Sequence, residues 1–125
     1  MQESEFMASC EMYDVIDGTW QSLPDLKKAR IEHSSCAQGD QVIVFCGYNL
    51  NAFVSSIEIL DMKKNVLEWD MLILSSSMFP AAKNFLLVPY GKREILIMGG
   101  VKHSSITEAI ADVTVYDIYN RKIRH

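Results

Sequence analysis

Two apolar segments that end at glycine constrain what this chain of 125 residues can fold into. "VIVFCG" covers residues 42–47 and "ILIMGG" covers residues 95–100, an offset of 53 residues. Four consecutive apolar residues are typical of a strand covered on both faces, whereas glycine weakens a strand interior. We therefore predict a repeated unit in which the glycines take positive φ, turn the chain out of the sheet and let a neighbouring backbone approach.

Other segments recur around these two. "SIEILD" at 56–61 corresponds to "DVTVYD" at 112–117, "SCEMYD" at 9–14 begins a third, partial copy, and Arg30 aligns with Lys83 at the offset of 53. Each unit of about 50 residues reads as four short strands separated by turn residues. Helical patterns are hard to place anywhere, so the sequence predicts an all-β fold.

Two sets of side chains recur at the third and fourth strands of the units. Large aromatic rings bury much apolar surface, so we expect one set to fill the seams between adjacent sheets: Tyr13, Trp20, Trp69 and Tyr116. An aspartate after a strand can accept hydrogen bonds from the turn that follows it. The second set is therefore expected to form turns: Asp14, Asp61 and Asp117.

The combined pattern resembles the Kelch repeat family. It is carried by Arg30 and His33, by the two glycine-ended strands, by "YDVIDGTW" at 13–20 and by Tyr116-Asp117. Kelch units of about 50 residues stack as blades of a β-propeller. The resemblance implies an incomplete Kelch-type β-propeller of four-stranded antiparallel blades. After a short lead at 1–8, the Kelch-repeat domain is predicted at 9–125, with a partial blade at 9–24, a blade at 30–74 and an incomplete blade at 83–125.

This number of blades leaves sheet faces to be covered, because closed propellers use four to eight blades. The last unit ends without its tryptophan, and we predict that it supplies only the first three strands. Two explanations stay open. The chain is a piece of a longer Kelch protein, or copies of it self-associate to cover the open blade faces.

Charge and cysteine usage exclude several classes of function. The net charge of −4 with mixed signs gives no basic field for nucleic acid and no polybasic patch for a membrane, and no segment has the length and apolarity of a membrane span. The cysteines Cys10, Cys36 and Cys46 are odd in number and lack metal-ligand spacing. Reduced thiols and an acidic N-terminus predict an intracellular, cytoplasmic protein.

No residue pattern predicts catalysis. His33 and Cys36 in "HSSC" would point to opposite sides of a strand, and no orienting acid accompanies the second "HSS" at 103–105. We assign no catalytic residue, no cofactor and no metal site, and predict that the chain is not an enzyme. The alternative is a fragment of a Kelch-like β-propeller enzyme acting on sugars, since some propellers with such units are sugar isomerases or copper oxidases.

A protein-binding role follows from loop lengths. In a four-stranded meander, the connection between strands 2 and 3 lies at the same end as the linker to the next unit, and these are the long connections in this sequence. Long polar loops with aromatic residues on one rigid face are suited to recognition. We predict a protein-interaction module, a substrate-recognition or scaffold fragment whose partner the sequence does not identify. Its predicted binding residues are Tyr48, Asn49, Asn51, Phe53, His103, Ser104 and Ser105.

Overall fold

The computed structural model describes residues 7–49, 52–74, 82–102, 108–109 and 113–124. These residues form short strands and no helix. The strands are β1 (Cys10–Asp14), β2 (Thr19–Leu23), β3 (Ser34–Gln38), β4 (Gln41–Phe45), β5 (Tyr48–Asn49), β6 (Ala52–Phe53), β7 (Ser56–Asp61), β8 (Trp69–Ile73), β9 (Ala82–Lys83), β10 (Leu86–Tyr90), β11 (Glu94–Met98), β12 (Val101–Lys102), β13 (Glu108–Ala109), β14 (Val113–Asp117) and β15 (Lys122–Arg124).

The larger strands form three antiparallel units in chain order. β1 and β2 form an N-terminal hairpin, the middle sheet has the order β3-β4-β7-β8, and the C-terminal sheet has the order β10-β11-β14-β15. The predicted all-β fold of four-stranded antiparallel sheets is confirmed, and the units stack like blades of an incomplete β-propeller. The prediction that the last unit stops after three strands is wrong, because β15 pairs with β14 and Ile123 occupies the place of the missing tryptophan.

The middle sheet is covered on both faces, as its apolar second strand predicted. Ile43 and Phe45 point towards the C-terminal sheet and join a core with Ile95 and Ile97. The intervening Val44 points the other way and packs in a second core beneath the hairpin, with Leu26, Leu60 and Trp69. Among the described residues, the C-terminal sheet has one buried face, since residues of β11 alternate between buried and half-buried. For β11, the expectation of cover on both faces is therefore wrong.

Polar side chains connect the middle and C-terminal sheets. The Ser34 hydroxyl donates to the Phe85 carbonyl at 2.5 Å. The buried Gln38 amide donates at 3.0 Å to the carbonyl of Gly91, in the turn between β10 and β11, and to that of Glu94, the first residue of β11. These bonds satisfy backbone carbonyls of the C-terminal sheet and fix how β3 of the middle sheet meets that sheet.

Two of the four aromatic side chains fill seams between sheets. Trp69 is 3% exposed and donates its indole N–H to the Pro24 carbonyl at 2.8 Å, and Tyr116 is fully buried. For the other two the prediction is wrong. Tyr13 and Trp20 are 47% and 67% exposed, and they stack on each other with ring centroids 5.0 Å apart. The physical reason is that no described element packs on that face of the hairpin.

The three aspartates form turns, as predicted. One carboxylate oxygen of Asp14 accepts the N–H groups of the second and third residues after it, and Asp117 does the same. Asp61 accepts the N–H of Lys63 at 3.0 Å. Asp117 is further held by Arg93, whose guanidinium lies 2.7 Å away and lowers the pKa of the carboxyl to about 2.

The glycine-ended strands have the predicted backbone. Gly99 and Gly100 have φ of 70° and 100°, and the equivalent Cys46 and Gly47 have φ of 53° and 107°. A Cβ on Gly47 would lie 2.6 Å from the Ile31 carbonyl oxygen, so a neighbouring backbone does approach there. Gly47 therefore admits no side chain, whereas its neighbour tolerates the strain of positive φ with one.

The offset of 53 residues, predicted for both the first and the second strands, is wrong for the first strands. Ser34 pairs with Phe45, and Leu86 pairs with Met98, which sets β3 and β10 apart by 52 residues. The cause is the turn between strands 1 and 2, which is one residue longer in the C-terminal sheet. Arg30 is therefore equivalent to Ala82 and not to Lys83.

We predict that Gly47→Ala destabilises the protein by on the order of 3 kcal/mol, because it adds both backbone strain and a clash with the Ile31 carbonyl. Gly39→Ala is the matched control: Gly39 also has positive φ, but a Cβ there meets no atom within 4 Å. Its cost should be about 1 kcal/mol. Urea unfolding measures both, and equal costs would show that the close approach is not important.

The Asp117 carboxyl should titrate with a midpoint near 2 when it is followed by NMR, because the Arg93 guanidinium and the turn N–H groups favour its charged form. The stability that this group contributes should thus be present above about pH 4 and be lost as the pH falls through 2. In Arg93→Gln the midpoint should rise towards 3.8, the ordinary value of an aspartate. An unchanged midpoint in that variant would contradict the assignment of the shift to Arg93.

Candidate functional site

The long connections meet at one end of the sheets, which we call the loop end. The backbones of Ile31, in the linker before β3, and Tyr48, in the β4–β7 connection, exchange two hydrogen bonds of 2.8 Å. In the next unit Val101 of the corresponding connection pairs with Lys83 of the corresponding linker. The prediction that these connections and linkers share one end is confirmed, and short ladders tie them together.

The structure brings three of the predicted binding residues together at the loop end. Tyr48 and Asn49 lie in β5 and Phe53 lies in β6, and all three are half-buried. The Tyr48 and Phe53 rings meet edge to face with centroids 5.5 Å apart. The Asn49 side-chain amide donates to the Ala29 carbonyl at 2.5 Å. The remaining predicted residues lie outside the described residues: Asn51, His103, Ser104 and Ser105.

These contacts refine what the three residues do. Asn49 holds the linker against the β5–β6 hairpin, and the two rings hold the hairpin strands together. A side chain with an internal partner is ordered before any ligand arrives, which lowers the entropy cost of binding. The described part of the loop end is thus a preorganised surface and not a set of independent side chains.

A buried ion pair lies directly beneath the loop end. Arg30 and Glu58 are both fully buried, with the Arg30 Nη2 2.5 Å from a Glu58 carboxylate oxygen. Arg30 also donates through Nη1, at 3.0 Å, to the carbonyls of Cys46 and Ser56. Cys46 follows β4 and Ser56 begins β7, so one guanidinium holds both ends of the long connection between them.

Glu58 extends the same network to the linker. Its two carboxylate oxygens accept the backbone N–H groups of Lys27 and Lys28 at 2.6 and 3.2 Å. The carboxylate therefore fixes the segment that leads into the loop end, while its charge compensates that of Arg30. Sequence reasoning missed this pair. The available signal was Glu58 itself, an acid within the apolar strand "SIEILD", which requires a buried cation or donors.

The thiol groups have the electrostatics of structural cysteines. All three are free, and burial raises the pKa of Cys10 and of Cys36 above the ordinary value. Burial raises the pKa of Cys46 to about 12, although the nearby Arg30 charge acts in the opposite direction. A thiol in this state is protonated at neutral pH and is a poor nucleophile.

His33 precedes β3 and lies near the buried Arg30 charge. Partial burial and the Arg30 charge lower its pKa below the ordinary histidine value. Cys36 packs against the core between the middle and C-terminal sheets. Within the described ranges, no three histidine, cysteine or acidic residues are grouped so that they could hold a metal ion. The same residues include no helix long and apolar enough to cross a bilayer.

The opposite end of the sheets, with its tight turns, carries an open depression of about 220 Å³. Its lining mixes both signs of charge, including an exposed pair in which Lys63 lies 2.9 Å from Asp40. Mixed charges that neutralise each other do not select a ligand of one sign. The loop end is therefore the better candidate for recognition.

Comparison with known proteins supports the fold and nothing finer. No protein-family model matches the chain, and no curated protein matches it. A solved structure of YjhT has a TM-score of 0.76 and 13% sequence identity, covering 94% of this chain and 38% of its own. At this identity the likeness shows the fold alone, and the chain spans well under half of the YjhT structure.

We predict that Glu58→Gln destabilises the protein by about 3–5 kcal/mol, because it leaves the Arg30 charge buried without a counter-charge. Hydrogen exchange at the Ile31 and Tyr48 amides should accelerate at the same time, since the network holds both sides of the loop end. Urea unfolding and exchange NMR provide the two measurements. Lys63→Ala removes an exposed ion pair and should leave the unfolding midpoint unchanged. Equal effects of the two substitutions would contradict the structural role of the buried pair.

Proposed function

We propose that the chain is a non-catalytic protein-protein interaction module of the Kelch-repeat type, which recognises a protein partner with its loop end. The observation that carries the proposal is the Arg30–Glu58 network, which fixes the long connection and the linker on one rigid base. Rigid scaffolds that present long loops are suited to binding, because recognition residues can vary while the base stays the same. The depression at the other end is lined by charges of both signs, including the exposed Lys63–Asp40 pair.

The Kelch assignment is supported by how closely the two sheets repeat each other. The positive φ angles of Cys46 and Gly47 recur at Gly99 and Gly100, and that of Glu32 recurs at Asn84. The likeness to the YjhT structure is consistent with this fold. Kelch proteins often act as adaptors, and a substrate-recognition or scaffold role would fit that resemblance.

The electrostatics favour binding over chemistry. The thiols are held in their protonated form. The opposite charges of the Arg30–Glu58 and Arg93–Asp117 pairs compensate each other within the fold. Three free cysteines also suit a reducing compartment, so we propose that the module acts in the cytoplasm. Its partner is proposed to be a protein, since the chain has no basic field for nucleic acid.

The recognition surface is proposed to include the β5–β6 hairpin with Tyr48, Asn49 and Phe53, together with the predicted residues of the neighbouring connections. Aromatic residues that are ordered but half-buried are common at the centres of interfaces, because they add contact area at small entropy cost. Asn49 is proposed to act indirectly, by holding the hairpin in place through its bond to Ala29.

We expect the double substitution Tyr48→Ala, Phe53→Ala to weaken capture of the partner at least tenfold, because the two rings form one contact surface. The measurement is affinity capture from a cell extract followed by mass spectrometry, with titration of the partner identified. The matched control is Asp40→Ala, Lys63→Ala, which removes an exposed pair at the opposite end and should leave capture intact. Circular dichroism of both variants checks the fold. Partner binding that is lost in the control, or retained in the loop variant, would contradict the proposal, as would turnover of a sugar.

A further inference from the structure

Two sheet faces of the chain are uncovered by any described element. The outward face of the C-terminal sheet carries the charged residues Glu94, Asp117, Lys122 and Arg124, and its apolar part consists of Leu86, Val88, Tyr90, Leu96, Met98, Val113 and Val115. Leu86 and Val113 are 59% and 50% exposed. The second surface, which we call the hairpin face, lies at the other end of the stack and consists of Glu11, Tyr13, Trp20 and Ser22.

The outward face is equivalent to a face that is already in contact inside the chain. In the middle sheet, Ile43 pairs with Ile59 and Phe45 with Ile57, and all four pack on the C-terminal sheet. The same paired positions of the C-terminal sheet hold Leu96 with Val115 and Met98 with Val113. The outward face thus repeats, position by position, the surface on which a following sheet packs.

The hairpin face is equivalent to the other half of that contact. Tyr13 is the last residue before the turn aspartate and pairs with Trp20. Leu60 occupies the same position in the middle sheet and Tyr116 does so in the C-terminal sheet; both are fully buried against the preceding unit. In the hairpin the corresponding rings face solvent because nothing described precedes it.

We propose that a second copy of this chain docks head to tail, with its hairpin face seated on the outward face of the C-terminal sheet. The outward face repeats one side of an interface that the chain already uses between its own sheets, and the hairpin face repeats the part of the other side that β14 and β15 supply. Docking would remove from water the stacked rings of Tyr13 and Trp20 and the apolar side chains of β10, β11 and β14. The interaction is separate from the loop end and leaves that surface accessible.

An ion pair lies at the rim of the contact that already exists inside the chain. Inside the chain, Asp70 of β8 forms an ion pair with Arg121, which lies in the turn after β14. Arg124 is equivalent to Asp70 in the C-terminal sheet. Asp70 follows Trp69, which pairs with the residue before Asp61, and Arg124 follows Ile123, which pairs with the residue before Asp117. In the hairpin, Gly18 occupies the position of Arg121, so docking would not repeat this ion pair. Arg124 is instead paired with Glu94 of its own sheet at 2.9 Å.

Head-to-tail contacts of this kind use two different surfaces, so every copy has one of each. Such an assembly grows until it closes into a ring or continues as an open chain. A symmetric dimer through one surface would instead involve the same residues on both copies. This difference makes the proposal testable by mixing variants.

The experiment compares two variants of this 125-residue chain by sedimentation velocity and light scattering across the soluble concentration range. Trp20→Lys blocks the hairpin face, and Leu86→Lys with Val113→Lys blocks the outward face; all three positions are exposed, so the fold should be retained. The wild-type protein should be larger than a monomer, and each variant alone should be monomeric. An equal mixture of the two should form a dimer, because each variant still carries the surface that the other has lost.

The control is Val66→Lys, which changes an apolar residue 79% exposed in the turn before β8, outside both faces, and should assemble like the wild type. Trp20 fluorescence supplies a second measurement. It should shift to the blue as the wild-type concentration rises, and should not shift in the outward-face variant. A monomeric wild type would overturn the proposal. Assembly that persists in either variant alone, or a mixture that stays monomeric, would also overturn it.

Discussion

The ion pair between Arg30 and Glu58 is the interaction on which the arrangement of the loop end depends. A guanidinium removed from water must have its donors and its charge satisfied nearby, and in this fold the acceptors are three backbone carbonyls, the Ser56 hydroxyl and one carboxylate. The carboxylate in turn satisfies two backbone N–H groups of the linker. The polar demands of two buried side chains therefore specify where three chain segments meet. A purely apolar contact at this point would be less selective, because it is not directional.

The contacts between sheets follow from the pleat of the strands. Successive residues of β4 alternate between two faces, so Ile43 and Val44 belong to different cores although they are neighbours in the chain. Each core is completed by an adjacent unit, which makes the stability of a sheet a property of its neighbours as much as of its own residues. At the two ends of the stack no described unit completes the core. The rings of the hairpin and the apolar outer side of the C-terminal sheet are therefore exposed.

Local features were predictable from the sequence, whereas features that depend on neighbouring sheets were not. The aspartate turns and the positive φ of Gly47 follow from the chemistry of a few consecutive residues, and the structure has both. Trp20 and Trp69 occupy equivalent positions, yet only the second is buried, because burial depends on whether another sheet covers that face. The buried ion pair joins residues 28 positions apart, and the sequence pattern alone gave no partner for the acid. In the candidate binding surface, the shared end of the connections was predictable. The bond from Asn49 to the Ala29 carbonyl was not, because it joins residues 20 positions apart.

The strand-ending glycine pair is not symmetric, and this affects how such units diverge. The first position carries a cysteine with φ of 53°, whereas the second is closed to any side chain by the Ile31 carbonyl. A side chain is therefore tolerated at the first glycine position but not at the second. As such units diverge in sequence, the pair of glycines could be reduced to one while the four-stranded sheet is kept. A sequence pattern that requires both glycines would not match such units.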